Sequence, residues 1–348
     1  MSSKGKVMIL VRRFLYFILP VVLLFYIFKR VDIDILISNL KNTNPWLVIA
    51  GILLRPMQIV IGSVRWRKLN HYFCKSNLPV KFMIQNYWSG LAIGYFTPGN
   101  IGWDAYRVLA VGRRIKTYTG AFITIIVEKF LGFFSVLTMA LIMYPIISSK
   151  IVSNVIFFQK SYYMALIVIA LSIVVIAFLV KKRNQKVLTS VKRFFDKNLK
   201  KLLNALNNRD IVEKIKRDYD KSNNILSFHK QPKTFLISFL LSIGILIVAA
   251  ICSQLIFRGL DYKISFFVNL FVAPIFFIIF LIPISFGSIG VREGAFILLY
   301  GQFGVPMEVA LLVSFFNLFG LFLNNIIGAL FIFGKGLNPS NEEIKSLQ

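Results

Sequence analysis

Six stretches of this chain stay predominantly apolar for about 18 residues or more, the length a helix needs to cross a bilayer. They lie at 11–28, 46–64, 118–147, 162–180, 234–257 and 307–333. Two further apolar regions, 82–113 and 264–304, are broken in the middle by proline and glycine. Composition agrees: the chain is 57% hydrophobic and 15% aromatic, with a mean hydropathy of +0.72, against about 45–50% apolar residues in soluble domains. The sequence therefore specifies an all-α polytopic membrane protein.

The first stretch follows a basic start, MSSKGKVMILVRR, as a secretory signal would. No small-residue cleavage site precedes Lys29–Arg30, so it reads as a retained span. The two cysteines, Cys74 and Cys252, and the two histidines, His71 and His229, offer little to a metal site or a disulfide framework. No phosphate-binding GxxxxGK[ST] loop occurs either, and the reading assigns no cofactor. The net charge of +27 fits a membrane surface facing anionic lipid better than nucleic acid.

The location of that charge sets the orientation. Residues 1–13 hold Lys4, Lys6, Arg12 and Arg13, and the 65–81 loop holds Arg65, Arg67, Lys68, Lys75 and Lys81. The 181–233 segment holds 16 Lys and Arg against 5 Asp and Glu. All three can face the cytoplasm together only if 82–113 enters and leaves on the inner side. The same logic makes 264–304 a hairpin from the outer side and places both termini in the cytoplasm. Within 181–233, Val187, Val191, Phe194, Phe195, Leu199, Leu202, Leu203 and Leu206 recur at helical spacing among basic residues. This predicts an amphipathic helix, either on anionic inner-leaflet lipid or packed on the protein's own cytoplasmic face.

The two broken regions resemble each other. Gly99-Asn100-Ile101-Gly102 and Gly287-Ser288-Ile289-Gly290 share Gly-x-Ile-Gly at an offset of 188 residues. That offset also carries the spans flanking the first hairpin onto spans flanking the second. The expected fold is six spanning helices plus two re-entrant helical hairpins in an inverted-topology repeat, the pattern of a transporter with a site near the midplane. Its expected parts are an N-terminal span and outer loop (1–45), a first repeat (46–147), a linking span with the basic segment (148–233), a second repeat (234–333) and a tail (334–348).

Glycines at the tips, Gly99, Gly102, Gly287 and Gly290, with Asn100 and Ser288, would let each hairpin turn and present a helix N-terminus to an anion. Charges cluster at these breaks: Asp104 and Arg107 after the first, Arg292 and Glu293 after the second, with Arg55 and the Glu128–Lys129 pair inside spans. Each central charge costs about 2.5–3.5 kcal/mol on insertion scales, so it is expected to be paired or to face water. One reading makes Asp104 and Glu293 dipole partners of their own helices, with Arg292 or Arg55 pairing them. The other makes Arg55, Arg107, Lys129 and Arg292 ligands for a headgroup phosphate, and the carboxylates ligands for an amine or agents of proton coupling.

The order GNIGWDAYRVL, then Glu128–Lys129, then FGSIGVREGAF with GVP at 304–306, resembles the lysylphosphatidylglycerol synthase transmembrane region. That family is the flippase-like membrane domain of the bacterial multiple-peptide-resistance factor and of stand-alone proteins. The resemblance runs over roughly residues 10–333 and places Asp104, Arg107, Glu128, Arg292 and Glu293 at motif positions. It implies movement of a polar-headgroup lipid between leaflets of a prokaryotic plasma membrane. Trp103 stands where the family often has glycine, and Lys129 where it often has arginine. Two-domain members carry an aminoacyltransferase domain after the membrane region. This chain ends at Gln348, so it is expected not to make a lysyl-lipid by itself. Stand-alone members serve other lipids too, including polyprenyl-phosphate-linked sugars.

The expectation is thus a lipid translocator, more a transporter than an enzyme, working alone, as a homo-oligomer or beside a separate lipid-modifying enzyme. Two alternatives stay open. Asp32 and Asp34 form an Asp-x-Asp in the first outer loop, as in membrane glycosyltransferases with polyprenyl donors, or simply a solvated turn. A non-transporting accessory protein of envelope assembly would work instead through its 181–233 surface.

Overall fold

The computed structural model describes residues 18, 20–97, 100–116, 118–147, 232–281 and 288–335. The predicted span 162–180, nearly all of the 181–233 segment, and Gly99 and Gly287 lie outside them, as do most of the tail and part of the first span. Among the described residues, helices account for all regular structure, and there is no strand.

A helical stretch at 20–28 leads into α1 (Ile33–Lys41). Asp32 caps α1, its Oδ1 accepting from the backbone N–H of Asp34 and Ile35 at 3.0 and 3.1 Å. Asn44 caps α2 (Pro45–Leu53), with Pro45 at its first position. Pro56 then interrupts the run, because it has no N–H to donate. Around it the backbone bonds tighten: Arg55 donates to Ile52, Met57 to Leu54 and Gln58 to Arg55. Beyond the break, α3 runs over Pro56–Cys74. The helix thus continues past the predicted span end at residue 64, and the connecting loop begins only at Lys75.

There follow α4 (Val80–Tyr95), α5 (Ile101–Ile115), α6 (Tyr118–Ile147), α7 (Pro232–Gly259), α8 (Phe266–Leu281), α9 (Val291–Gly301) and α10 (Met307–Lys335). Four helical runs are long and apolar enough to cross a membrane: Pro45–Cys74, Tyr118–Ile147, Pro232–Gly259 and Met307–Gly334. They match four of the six predicted spans. Large apolar side chains such as Trp46, Phe130, Leu240, Phe322 and Phe333 point outward from them, as lipid contact requires.

The helix order recurs along the chain. Helices start at 45, 80, 101 and 118 and again at 232, 266, 291 and 307, offsets of 187, 186, 190 and 189 residues. Packing is reciprocal: α4 lies chiefly against α10, α8 lies chiefly against α6, and α7 packs on both α2 and α3. Asn100 and Ser288, equivalent in the two Gly-x-Ile-Gly tracts, both take left-handed backbone conformations, with φ of 56° and 60°. One apolar core joins α6 to α10 around Phe257, Phe276, Phe296 and Tyr300. A smaller one joins α3 to α6 around Trp66, Met83 and Tyr87.

Candidate functional site

Two buried charge clusters stand on this frame. In the first, Glu128 projects from the middle of α6 and is 2% exposed. Its Oε1 accepts from Arg65 Nη2 at 2.6 Å and from the Tyr87 hydroxyl at 3.1 Å. Its Oε2 accepts from Arg107 Nη1 at 2.7 Å. Arg65 also donates to Ser242 Oγ on α7 at 2.7 Å. Arg107 reaches Asp104 Oδ1 at 2.8 Å, and Lys129 reaches Asp104 Oδ2 at 2.7 Å. Three aromatic rings, Trp66, Tyr87 and Trp103, surround the Arg107 guanidinium at 4.6–5.2 Å, a cation–π environment. This network ties α3, α5, α6 and α7 together with nearly every charge answered.

The outer pair in that network contributes little. The Lys129 side chain is 52% exposed, and exposed ion pairs are worth about 0–1 kcal/mol. Lys129→Met is therefore expected to change stability by less than about 1 kcal/mol, read from unfolding of the detergent-solubilised protein.

The second cluster is unlike the first. Arg292 opens α9, is 7% exposed, and lies over the Phe280 ring at 4.7 Å. Glu293 beside it is fully buried, yet its carboxylate serves the helix: Oε2 accepts from the Gly290 N–H at 2.5 Å, and Oε1 from Ser314 Oγ at 3.4 Å. Arg55, at the α2–α3 break, donates to Asn317 Oδ1, and its chain lies against Gly320. Arg55, Glu293 and Tyr95 are within electrostatic reach of Arg292. Among the described residues neither arginine has a carboxylate at ion-pair distance; Nε of each, like Nε of Arg65 and Arg107, is buried without a hydrogen-bond partner.

The structure thus groups Asp104, Arg107, Glu128 and Lys129 in one cluster and Arg55, Arg292 and Glu293 in the other. Asp104 is answered by Arg107 and Lys129, and Arg55 and Arg292 pair neither Asp104 nor Glu293 as an ion pair. At each tip one backbone donor is already occupied: Gly102 N–H by Thr97 Oγ1 at 2.8 Å, and Gly290 N–H by Glu293. Asp32 has a local task as the α1 cap.

Arg65 is a correction. Counted as a loop charge in 65–81, it is a buried member of the ion network, because α3 extends to Cys74. The drop in apolar character after residue 64 concealed it. Asn317 was passed over as well, although an amide inside an apolar span is itself a signal of a partner or a polar cavity.

Helical runs of membrane-spanning length, with ionised groups buried between them, define a polytopic helical membrane protein. The chain belongs to the family described as Lysylphosphatidylglycerol synthase TM region, which matches residues 8–328. No curated protein and no solved structure matches it.

Proposed function

We propose that this protein moves a polar-headgroup lipid, an aminoacylated phospholipid or a polyprenyl-phosphate-linked glycolipid, between leaflets by alternating access. The observation that carries this reading is the Arg55–Arg292 pair. A buried and a half-buried guanidinium with no ion-paired carboxylate among the described residues are unfavourable in an apolar interior, and a headgroup phosphate supplies the missing charge with bidentate geometry. The family's name, with its reference to a lipid synthase, agrees with a lipid substrate.

The architecture we assign to this activity is the inverted repeat of six spans and two re-entrant hairpins, with both termini in the cytoplasm of a prokaryotic cell. The recurring helix starts and the reciprocal packing of α4 on α10 and α8 on α6 support the repeat, since a two-fold relation between the halves produces that exchange, and the distribution of Lys and Arg supports its inversion. Helices α5 and α9, with 15 and 11 residues, extend about 22 and 16 Å, short of the roughly 30 Å hydrocarbon core. Arg55 and Arg292 hold the phosphate in this scheme, while the Glu128 cluster keeps the first hairpin in place beside it.

The test is leaflet exchange in proteoliposomes with tail-labelled aminoacyl-phosphatidylglycerol, phosphatidylglycerol and polyprenyl-phosphate sugar. Native protein is expected to move at least one of them, and Arg55→Ala/Arg292→Ala to reconstitute normally and move none. Exchange by the double variant at the native rate would sink the arginine site. A native protein inert towards the whole panel would sink translocation itself.

A further inference from the structure

Helix α10 is the most enclosed of the four membrane-length runs, yet it carries a series of polar side chains through its apolar length. Ser314, Asn317, Asn324 and Asn325 are all buried, at 0, 1, 4 and 7% exposure. Ser314 meets Glu293, and Asn317 meets Arg55, so the upper part of the series belongs to the arginine cluster. Asn324 accepts from Trp88 Nε1 on α4 at 3.0 Å and donates to the Gly320 carbonyl at 3.0 Å. Asn325 differs from all of these. Among the described residues neither its Nδ2 nor its Oδ1 has a partner.

A buried amide with both ends unmet is costly. The neighbouring asparagines show that the fold can satisfy such groups here, using a backbone carbonyl one turn back and a donor from a facing helix. Asn325 receives neither. Helical geometry puts it nearly beneath Ser314, since eleven residues turn the helix through about three full turns and advance it about 16 Å. That is roughly half of the hydrocarbon thickness.

We infer that the polar face of α10 from Ser314 to Asn325 is the lane along which the headgroup passes between the Arg55–Arg292 pair and Asn325. Asn325 is the hydrogen-bonding station on that route. The inference rests on the translocation reading above. Neutral amides suit the task, because they offer a donor and an acceptor to phosphate oxygens or headgroup hydroxyls without holding a charge tightly. The arginines capture the phosphate, and the asparagines let it pass.

The decisive variant is Asn325→Leu, nearly the same size but unable to hydrogen-bond. It is assayed in proteoliposomes with tail-labelled phosphatidylglycerol and tail-labelled polyprenyl-phosphate sugar, and its thermal unfolding is measured in detergent. The lane requires exchange about tenfold slower than native, the rate equivalent of one net hydrogen bond, with an unfolding temperature equal to native or higher. That combination separates function from structure, because removing an unsatisfied buried amide relieves the fold. Native-rate exchange by Asn325→Leu overturns the lane. So does slower exchange accompanied by a lower unfolding temperature, which would make Asn325 a structural residue. If native protein moves neither lipid while Arg55→Ala/Arg292→Ala behaves identically, translocation fails first and the lane falls with it.

Discussion

Glu128→Ala is expected to cost about 3–5 kcal/mol of stability, because it takes the carboxylate from the buried Arg65 and leaves Arg107 with Asp104 alone. Arg65 and Arg107 both aim at that one carboxylate from different helices, at 2.6 and 2.7 Å. Without it, like charges remain side by side in a low-dielectric interior, with Ser242 and Asp104 as their further hydrogen-bond partners among the described residues. The cost comes from the unpaired charges more than from the lost attraction. Exchanging Arg65, Arg107 and Glu128 together for methionine should therefore recover most of the loss. Chemical unfolding in detergent micelles measures both variants, and an unchanged midpoint in Glu128→Ala would show that the network does not hold these helices. Lys129→Met, a few ångströms away, serves as the mild comparison.

Gly328→Ala is the second large effect, expected to lose about 1–3 kcal/mol by overpacking. Here α10 meets α4 so closely that an added Cβ would run into the Trp88 carbonyl oxygen, with the Trp88 carbonyl carbon at 2.9 Å and Ala92 Cβ at 3.0 Å. Two of these three atoms are backbone, which cannot rotate aside. Small residues allow such approaches between membrane helices. The helices must separate, and the Trp88–Asn324 hydrogen bond one turn away would stretch with them. Gly244→Ala on α7 is the matched control, since nothing lies within 4 Å of its added Cβ. In a helix interior that change should gain about 0.4–1 kcal/mol. Comparable losses at the two positions would contradict the close packing of α4 on α10.

Much of the architecture is legible in the sequence. Apolar length marked the runs at Tyr118–Ile147, Pro232–Gly259 and Met307–Gly334 closely, because a span must satisfy its backbone internally and exclude charge over a set distance. The separation of α4 from α5 and of α8 from α9 was visible as proline and glycine. The end of α3 was not, since Arg65, Arg67 and Lys68 resemble a basic loop when read along the chain. A positive charge counts towards a loop or a core according to what stands opposite it, and Glu128 is 63 residues away from Arg65.

The same distinction runs through the site. By itself the sequence determined that charges would sit at helix breaks within apolar surroundings, and that two tracts would repeat 188 residues apart. These are local matters of composition, turn chemistry and period. Only the tertiary structure decided which charges are answered. Glu128 satisfies Arg65 and Arg107, Glu293 caps its own helix, and Arg55 and Arg292 form no ion pair with a carboxylate among the described residues. Ion pairing depends on distances of a few ångströms between residues remote in sequence, and packing sets those distances.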